Sequence, residues 1–112
     1  MRLGLLAACA VALSCLSDPG EHRDFSGMWD TYFGYMQLRQ NHEKVEGKYR
    51  SDIGSIKGQA KGDTLFFDWK DNEGQGDGYF VMSADGRTLS GAYRLKGHED
   101  WDGQWSGVKI SK

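Results

Sequence analysis

Histidine and cysteine supply much of the nucleophilic, acid–base and metal-binding chemistry of proteins, and this 112-residue chain has few of either. Its three histidines are His22, His42 and His98, and its two cysteines, Cys9 and Cys15, both precede residue 18. No Gly-x-Ser-x-Gly sequence, which would place a nucleophilic serine on a sharp turn, occurs in the chain. The sequence therefore predicts that the protein is not an enzyme.

Two acidic segments could in principle ligate a metal ion. Residues 71–78 superficially resemble a calcium-binding loop, but Met82 stands where the bidentate glutamate of such a loop belongs. The segment 98–102 begins with His98, and no second histidine is placed to complete a zinc site with it. We therefore interpret residues 71–78 as a solvated hairpin loop and residues 98–102 as a charged loop, and we predict neither a metal ion nor a cofactor.

The N-terminal residues carry the signature of protein export. Arg2 gives a positive start, residues 3–16 are apolar or small, and Asp18-Pro19-Gly20 ends the run. An apolar run of this length is too short to span a bilayer, but it matches the apolar region of a signal peptide. We predict a signal segment over 1–17, a short linker over 18–25 and a single domain over 26–112.

Cys15 lies at the end of the apolar run and is the candidate lipid acceptor. The sequence Ala12-Leu13-Ser14-Cys15 resembles the lipobox of bacterial lipoproteins, although that family usually has leucine at the position of Ala12. In the lipobox, cleavage before the cysteine leaves it as the lipidated first residue. Ala12 and Ser14 also fit an ordinary small-x-small cleavage site, so free secretion is the alternative. We favour lipidation at Cys15, which predicts an exported protein of the periplasm or cell envelope whose only membrane attachment is the lipid.

Composition narrows the classes of partner and fold. The formal net charge is −2 with charges of both signs interleaved, so no basic patch for nucleic acid is predicted. The predicted domain has no cysteine and therefore no disulfide framework, even though the destination is oxidising. Aromatic residues make up 12% of the chain and are spread along it, which makes a buried core feasible.

From Ser26 onwards, apolar residues recur at every second position, which is the periodicity of a half-buried strand. Short turn-rich breaks at 41–43, 62–63 and 84–86 allow only antiparallel neighbours. We predict an all-β, eight-stranded antiparallel up-and-down meander barrel, because closure removes both sheet edges. A flat meander or small sandwich is the second choice. The eight strands have these alternating positions on their inward faces: 29-31-33, 36-38-40, 45-47-49, 56-58-60, 65-67-69, 78-80-82, 89-91-93 and 101-103-105-107.

Glycines recur in the middle of these strands on the predicted inward face, at Gly47, Gly58, Gly91 and Gly103. Glycine is disfavoured in strand interiors, so the recurrence needs a cause. A narrow barrel supplies one, since a missing side chain leaves room for an aromatic ring from a neighbouring strand. The alternative is that these glycines mark β-bulges.

The longer loops all fall at one end of such a barrel. They are Gly34, residues 51–55, a long loop over 70–77 and the longest one over 94–100. At this end the inward positions are aromatic: Phe33, Tyr49, Trp69 and Tyr93, with Trp101 or Trp105 from the last strand. Aromatic walls with a few hydroxyls suit a small apolar or ring-shaped ligand. An eight-stranded barrel can equally be filled by its own side chains.

A family resemblance rests on short motifs within the first three strands. Gly27-Met28-Trp29 with Gly34, followed by residues 45–51, resembles the Gly-x-Trp and Gly-x-Tyr-x-Ser strands of the avidin family. The start is also similar to that of lipocalin-like barrels. For avidins the resemblance implies ligand contacts from Tyr49 and Ser51, and from tryptophans that Trp69 and Trp105 could mimic. Thr31 and Tyr35 stand where avidins carry asparagine and serine, so the resemblance supports the fold and argues against biotin.

Two functions from different classes follow from the sequence. The first is a carrier or sensor that binds a small hydrophobic or ring-containing ligand, with a site formed by Tyr49, Ser51, Trp69, Tyr93 and Trp105. The second is a non-enzymatic envelope module with a filled core that binds another protein or serves a structural role. The sequence does not determine the oligomeric state.

Overall fold

The computed structural model describes residues 23–111, and this part of the chain forms a closed eight-stranded barrel. The strands follow one another around the barrel in chain order, every neighbouring pair is antiparallel, and β1 pairs with β8 to close the ring. The predicted fold class is therefore confirmed. The strands are β1 (Gly27–Thr31), β2 (Gly34–Asn41), β3 (Lys44–Tyr49), β4 (Gly54–Lys61), β5 (Thr64–Asp71), β6 (Gly74–Met82), β7 (Thr88–Leu95) and β8 (Gly103–Ser111).

The predicted signal segment and Cys15 lie outside the described residues. Among residues 23–111, no helix is long and apolar enough to cross a membrane.

Alternation of side chains along each strand builds the core. Every second residue points inward, and the large inward side chains are almost completely buried. They form one continuous cluster: Phe25, Trp29, Met36, Leu38, Val45, Tyr49, Ile56, Leu65, Phe67, Trp69, Phe80, Met82, Leu89 and Trp105. Removing this much apolar surface from water is the main stabilising contribution to the barrel.

Several glycines mark places where neighbouring strands approach too closely for a side chain. At Gly91, in the middle of β7, a Cβ would lie far inside van der Waals contact distance of the Tyr79 carbonyl oxygen. Gly103, predicted to lie in the middle of a strand, is instead the first residue of β8, and a Cβ there would conflict with the Tyr93 ring of the paired strand. Both situations follow from the sharp coiling of a narrow barrel.

Strand β6 corrects one sequence-based expectation. Residues 70–77 do not form a long loop, because β5 continues to Asp71 and β6 starts at Gly74. The Asp71 carboxylate accepts hydrogen bonds from the backbone N–H groups of Glu73, at 2.8 Å, and of Gly74, at 3.2 Å. This side-chain cap stabilises a tight turn that the glycine-rich composition does not suggest. At that end the longest connection between strands is residues 96–102, between β7 and β8.

A short segment preceding β1 seals the other end of the barrel. Phe25, predicted to belong to a linker over 18–25, is fully buried, and its backbone N–H donates to the Gln40 side chain at 2.8 Å. Its carbonyl accepts a 3.0 Å hydrogen bond from the Trp29 indole. Arg23 reaches the carbonyls of Ser83 and Ala84 and pairs with Asp63 at 2.9 Å. The linker prediction is therefore wrong for residues 23–25, which belong to the barrel domain.

Candidate functional site

A cavity of about 250 Å³ opens at the end of the barrel opposite to Phe25. Five aromatic side chains form most of its lining, and we call it the aromatic cavity. Below it the barrel interior is filled by the core side chains, so the cavity is a pocket with a floor and not a channel. Its lining residues are Phe33, Tyr49, Arg50, Trp69, Asp71, Glu73, Tyr93, Leu95 and Trp105.

Trp105 is the central side chain of the aromatic cluster. It is 1% exposed, and its ring centroid lies 5.0 Å from those of Phe33 and Tyr49 and 6.4 Å from that of Tyr93. These contacts are edge-to-face, the arrangement favoured by the quadrupoles of aromatic rings. The packing holds the rings in fixed positions, so the cavity is formed before any ligand arrives.

The two tryptophans that line the cavity, Trp69 and Trp105, differ in how their indole N–H groups are satisfied. The Trp69 Nε1 donates to the Asp77 carbonyl at 3.2 Å. The Trp105 Nε1 is buried and has no hydrogen-bond partner among the described residues. A buried donor without an acceptor is costly, so the Trp105 indole lowers the stability of the packing around it.

Tyr49 reaches across one whole strand to the mouth of the cavity. Its cross-strand partner on β4 is Gly54, and the Tyr49 ring occupies the space that a Cβ on Gly54 would need. The hydroxyl then donates a 2.8 Å hydrogen bond to the Asp71 carboxylate on β5. Burial, followed by the hydrogen bond to Asp71 and its negative charge, raises the pKa of Tyr49 well above its ordinary value.

Charged side chains surround the mouth. The Asp71 side chain is only 8% exposed, whereas that of Glu73 is 72% exposed. The Arg50 guanidinium lies 3.5 Å from Asp71 and 3.6 Å from Glu73, both longer than a charge-assisted hydrogen bond of about 2.7–2.9 Å. The two carboxylates and one guanidinium give the mouth a formal charge of −1.

The structure brings four of the five predicted ligand-site residues together, namely Tyr49, Trp69, Tyr93 and Trp105. Phe33, predicted to face inward at this end, also lines the cavity. Ser51 does not: it is exposed in the turn between β3 and β4 and has a left-handed φ of 53°. The resemblance-based expectation for Ser51 is therefore not met, because the turn carries its side chain away from the interior.

Sequence reasoning missed the charged residues of the mouth. The sequence predicts Asp71 in a long hairpin loop and predicts no role for Arg50 or Glu73. One signal for a shorter turn is that Asp71-Asn72-Glu73-Gly74 is an acceptor followed by turn residues, a pattern typical of a tight hairpin. A two-residue turn there places Asp71 at the end of a strand, near the aromatic positions.

Trp101 was one of two alternatives for the inward tryptophan, and the structure places it outside. It is 46% exposed, precedes β8, and lies edge-on to Tyr79 with a centroid separation of 5.1 Å. The Arg94 guanidinium lies 4.6 Å from its ring centroid and pairs with Asp77 at 2.9 Å. Trp105 is thus the tryptophan of the cavity, and Trp101 belongs to an external aromatic surface.

Within residues 23–111, no three histidine, cysteine, aspartate or glutamate side chains are grouped so that they could hold a metal ion. His42 and His98 lie in connections at opposite ends of the barrel. Comparison of the chain with family models, curated proteins and solved structures found no match.

Proposed function

We propose that the protein is an exported, lipid-anchored carrier or sensor that binds a small hydrophobic or ring-containing ligand in the aromatic cavity. The observation that carries the proposal is a preformed cavity walled by five aromatic side chains at the longer-loop end of an otherwise filled barrel.

The size of the cavity restricts the ligand. Pockets for drug-sized molecules have volumes of about 300–1,000 Å³, and the aromatic cavity is smaller than this range. The ligand is therefore a compact molecule of one ring or similar bulk, or one compact group of a larger molecule.

Biotin does not fit this proposal. Thr31 uses its hydroxyl to hydrogen-bond the Gly34 carbonyl at 2.7 Å, and Tyr35 is 63% exposed. Neither residue lines the cavity, so neither contributes a polar contact there.

The second candidate is an envelope module that binds another protein. The observation in its favour is the external aromatic surface of Phe66, Tyr79 and Trp101, with Phe66 53% exposed opposite Tyr79 on the paired strand. Large exposed aromatic side chains that lie together are typical of interaction surfaces.

A substitution that fills the cavity distinguishes the carrier proposal from the protein-binding proposal. It does so without removing any side chain from the core. Leu95 lines the cavity and is 37% exposed, so Leu95→Trp adds bulk at the mouth. The matched control is Val81→Trp, at an outward position of β6 that is 41% exposed and distant from the mouth. Calorimetric titration with phenol, indole and naphthol should show binding to the wild type and to Val81→Trp, and at least about tenfold weaker binding to Leu95→Trp. Equal binding of the probes to both variants would overturn the carrier proposal, as would failure of the wild type to bind any of these probes or choline.

The proposed anchor has its own test. Mass spectrometry of the mature protein should show an acylated N-terminal Cys15, and an unmodified N-terminus would remove the lipid from the proposal.

A further inference from the structure

The aromatic cavity combines two features that together favour a cation. Phe33 and Tyr93, which are half-buried, line it together with the almost fully buried Tyr49, Trp69 and Trp105, and its mouth carries the carboxylates of Asp71 and Glu73 and the guanidinium of Arg50. The faces of aromatic rings have negative potential and attract a cation within about 6 Å of the ring centroid. A neutral apolar molecule would use the walls and gain nothing from the carboxylates, whereas a cation uses both.

The hydrogen bonds around Asp71 specify what kind of cation is suited. Asp71 already accepts from the Tyr49 hydroxyl and from the backbone N–H groups of Glu73 and Gly74, at 2.8 to 3.2 Å, and from the Arg50 guanidinium at 3.5 Å. Few acceptor positions remain for a primary ammonium, which needs to place three N–H donors. A methylated ammonium has few or no donors to satisfy, and its methyl groups pack against apolar rings. It is therefore the cation for which burial in this cavity costs least.

Arg50 does not cancel the attraction. Its contacts to the two carboxylates, 3.5 and 3.6 Å, are long, and its side chain is 32% exposed. The Asp71 side chain, at 8% exposure, is screened much less by solvent than the guanidinium is. A ligand cation inside the mouth consequently meets a net negative environment.

We propose that the ligand of the aromatic cavity is a methylated ammonium compound, held by its aromatic walls and by the carboxylates of Asp71 and Glu73. This proposal rests on the proposed function, since it keeps the aromatic cavity as the ligand site, but it assigns to that site a compact organic cation with apolar methyl groups in place of a neutral ligand. It also accounts for the small volume, because a trimethylammonium group is a compact, nearly spherical group.

The test compares choline with its neutral isostere, in which a tert-butyl group replaces the trimethylammonium group. The two molecules have the same shape and the same hydroxyl, so their affinities differ only through the charge. Calorimetric titration should show choline binding at least about tenfold more tightly than the isostere. Equal or tighter binding of the isostere would overturn the methylammonium proposal and leave the small-ligand function intact. Failure of both to bind while a ring probe binds would overturn the methylammonium proposal alone, and failure of the ring probes in addition would overturn the proposed function as well.

A variant that removes one negative charge from the mouth provides a second test of the proposal. Glu73→Gln removes one mouth charge from a side chain that is 72% exposed, so folding should be unaffected. Its matched control is Glu43→Gln, in the exposed turn between β2 and β3 at the opposite end. We expect Glu73→Gln to weaken choline binding about three- to tenfold, leave the isostere unchanged, and lose part of the salt dependence. A loss of choline affinity of the same size in Glu43→Gln, or none in Glu73→Gln, would contradict the assigned role of the mouth.

The same group could arrive free in solution or as a phospholipid headgroup. Titration with phosphocholine and with phosphatidylcholine vesicles, using phosphatidylglycerol vesicles as the reference, separates these sources. Binding of phosphocholine without binding to phosphatidylcholine vesicles identifies a free solute. Preferential binding to phosphatidylcholine vesicles that is lost in Leu95→Trp identifies the phospholipid headgroup as the ligand. Either result supports a methylated ammonium ligand.

Discussion

The hydroxyl of Tyr49 on β3 donates a 2.8 Å hydrogen bond to the carboxylate of Asp71 on β5, across the strand that separates them. The connection is possible because the intervening residue of β4 is Gly54, over which the phenol ring lies. The Tyr49 side chain thus connects three strands at the mouth. It belongs to the wall of the aromatic cavity and also holds Asp71, one of the charged residues of the mouth.

Gly54→Ala should destabilise the barrel and displace Tyr49. A Cβ at position 54 would overlap ring atoms of Tyr49, so the ring must move and its hydrogen bond to Asp71 must break. We expect a loss of about 2–3 kcal/mol in the free energy of unfolding, measured by urea denaturation. The control is Gly74→Ala, where the nearest atom is the flexible end of Leu95 at 3.2 Å. If both variants lose the same stability, the overlap with Tyr49 is not the cause.

Tyr49 should make the stability of the protein fall at alkaline pH. Because the pKa of Tyr49 is raised in the folded state, the folded protein keeps this proton above pH 10, where the unfolded chain releases it. The stabilising contribution is complete below about pH 10 and is lost as the pH rises further, at up to about 1.4 kcal/mol per pH unit. Denaturation curves recorded at several pH values should show this slope in the wild type and a smaller one in Tyr49→Phe. Identical slopes would mean that Tyr49 titrates normally.

Arg50→Gln should strengthen the binding of a cation. Removing the guanidinium leaves the carboxylates of Asp71 and Glu73 without their nearest positive charge, so the mouth becomes more negative. We expect about three- to tenfold tighter choline binding at low salt, with the gain reduced at high salt, by calorimetry. Weaker choline binding with unchanged stability would show that Arg50 itself contributes to the ligand site.

Phe25→Ala should cost about 3–5 kcal/mol of stability, because it empties a fully buried position at the sealed end of the barrel. Phe66→Ala serves as the control, since Phe66 is 53% exposed and should lose less than half as much. Thermal and urea denaturation measure both. Ligand binding at the aromatic cavity should persist in Phe25→Ala under conditions where this variant is folded, because Phe25 and the cavity lie at opposite ends of the barrel. Loss of ligand binding in the folded variant would show that the two ends are energetically coupled.

Periodicity predicts this fold well because a barrel with one buried face imposes strict alternation. The inward positions of Leu65, Phe67 and Trp69, for example, follow directly from their spacing, and all three are buried. The same alternation predicts Tyr49, Tyr93 and Trp105 at the longer-loop end of the barrel, where all three line the aromatic cavity.

What periodicity could not supply was information about turns and close approaches. Gly74, Gly76 and Gly78 have the composition of a loop, yet all three belong to β6. A Cβ at Gly76 would meet the Arg94 backbone, and one at Gly78 would meet the Phe67 ring, so glycine is selected here by space and not by flexibility. These conflicts arise between strands, and no local pattern reveals them.

If Cys15 carries a lipid as proposed, the seal around Phe25 relates the opening of the cavity to the bilayer. The chain enters the barrel at the end opposite to the aromatic cavity, with Arg23 fastened to the carbonyls of Ser83 and Ala84. Only seven residues separate Cys15 from Arg23, which limits the tether to about 30 Å even when fully extended. With a lipid on Cys15, the short tether would hold the sealed end of the barrel near the bilayer. The opening of the cavity would then face the surrounding aqueous compartment.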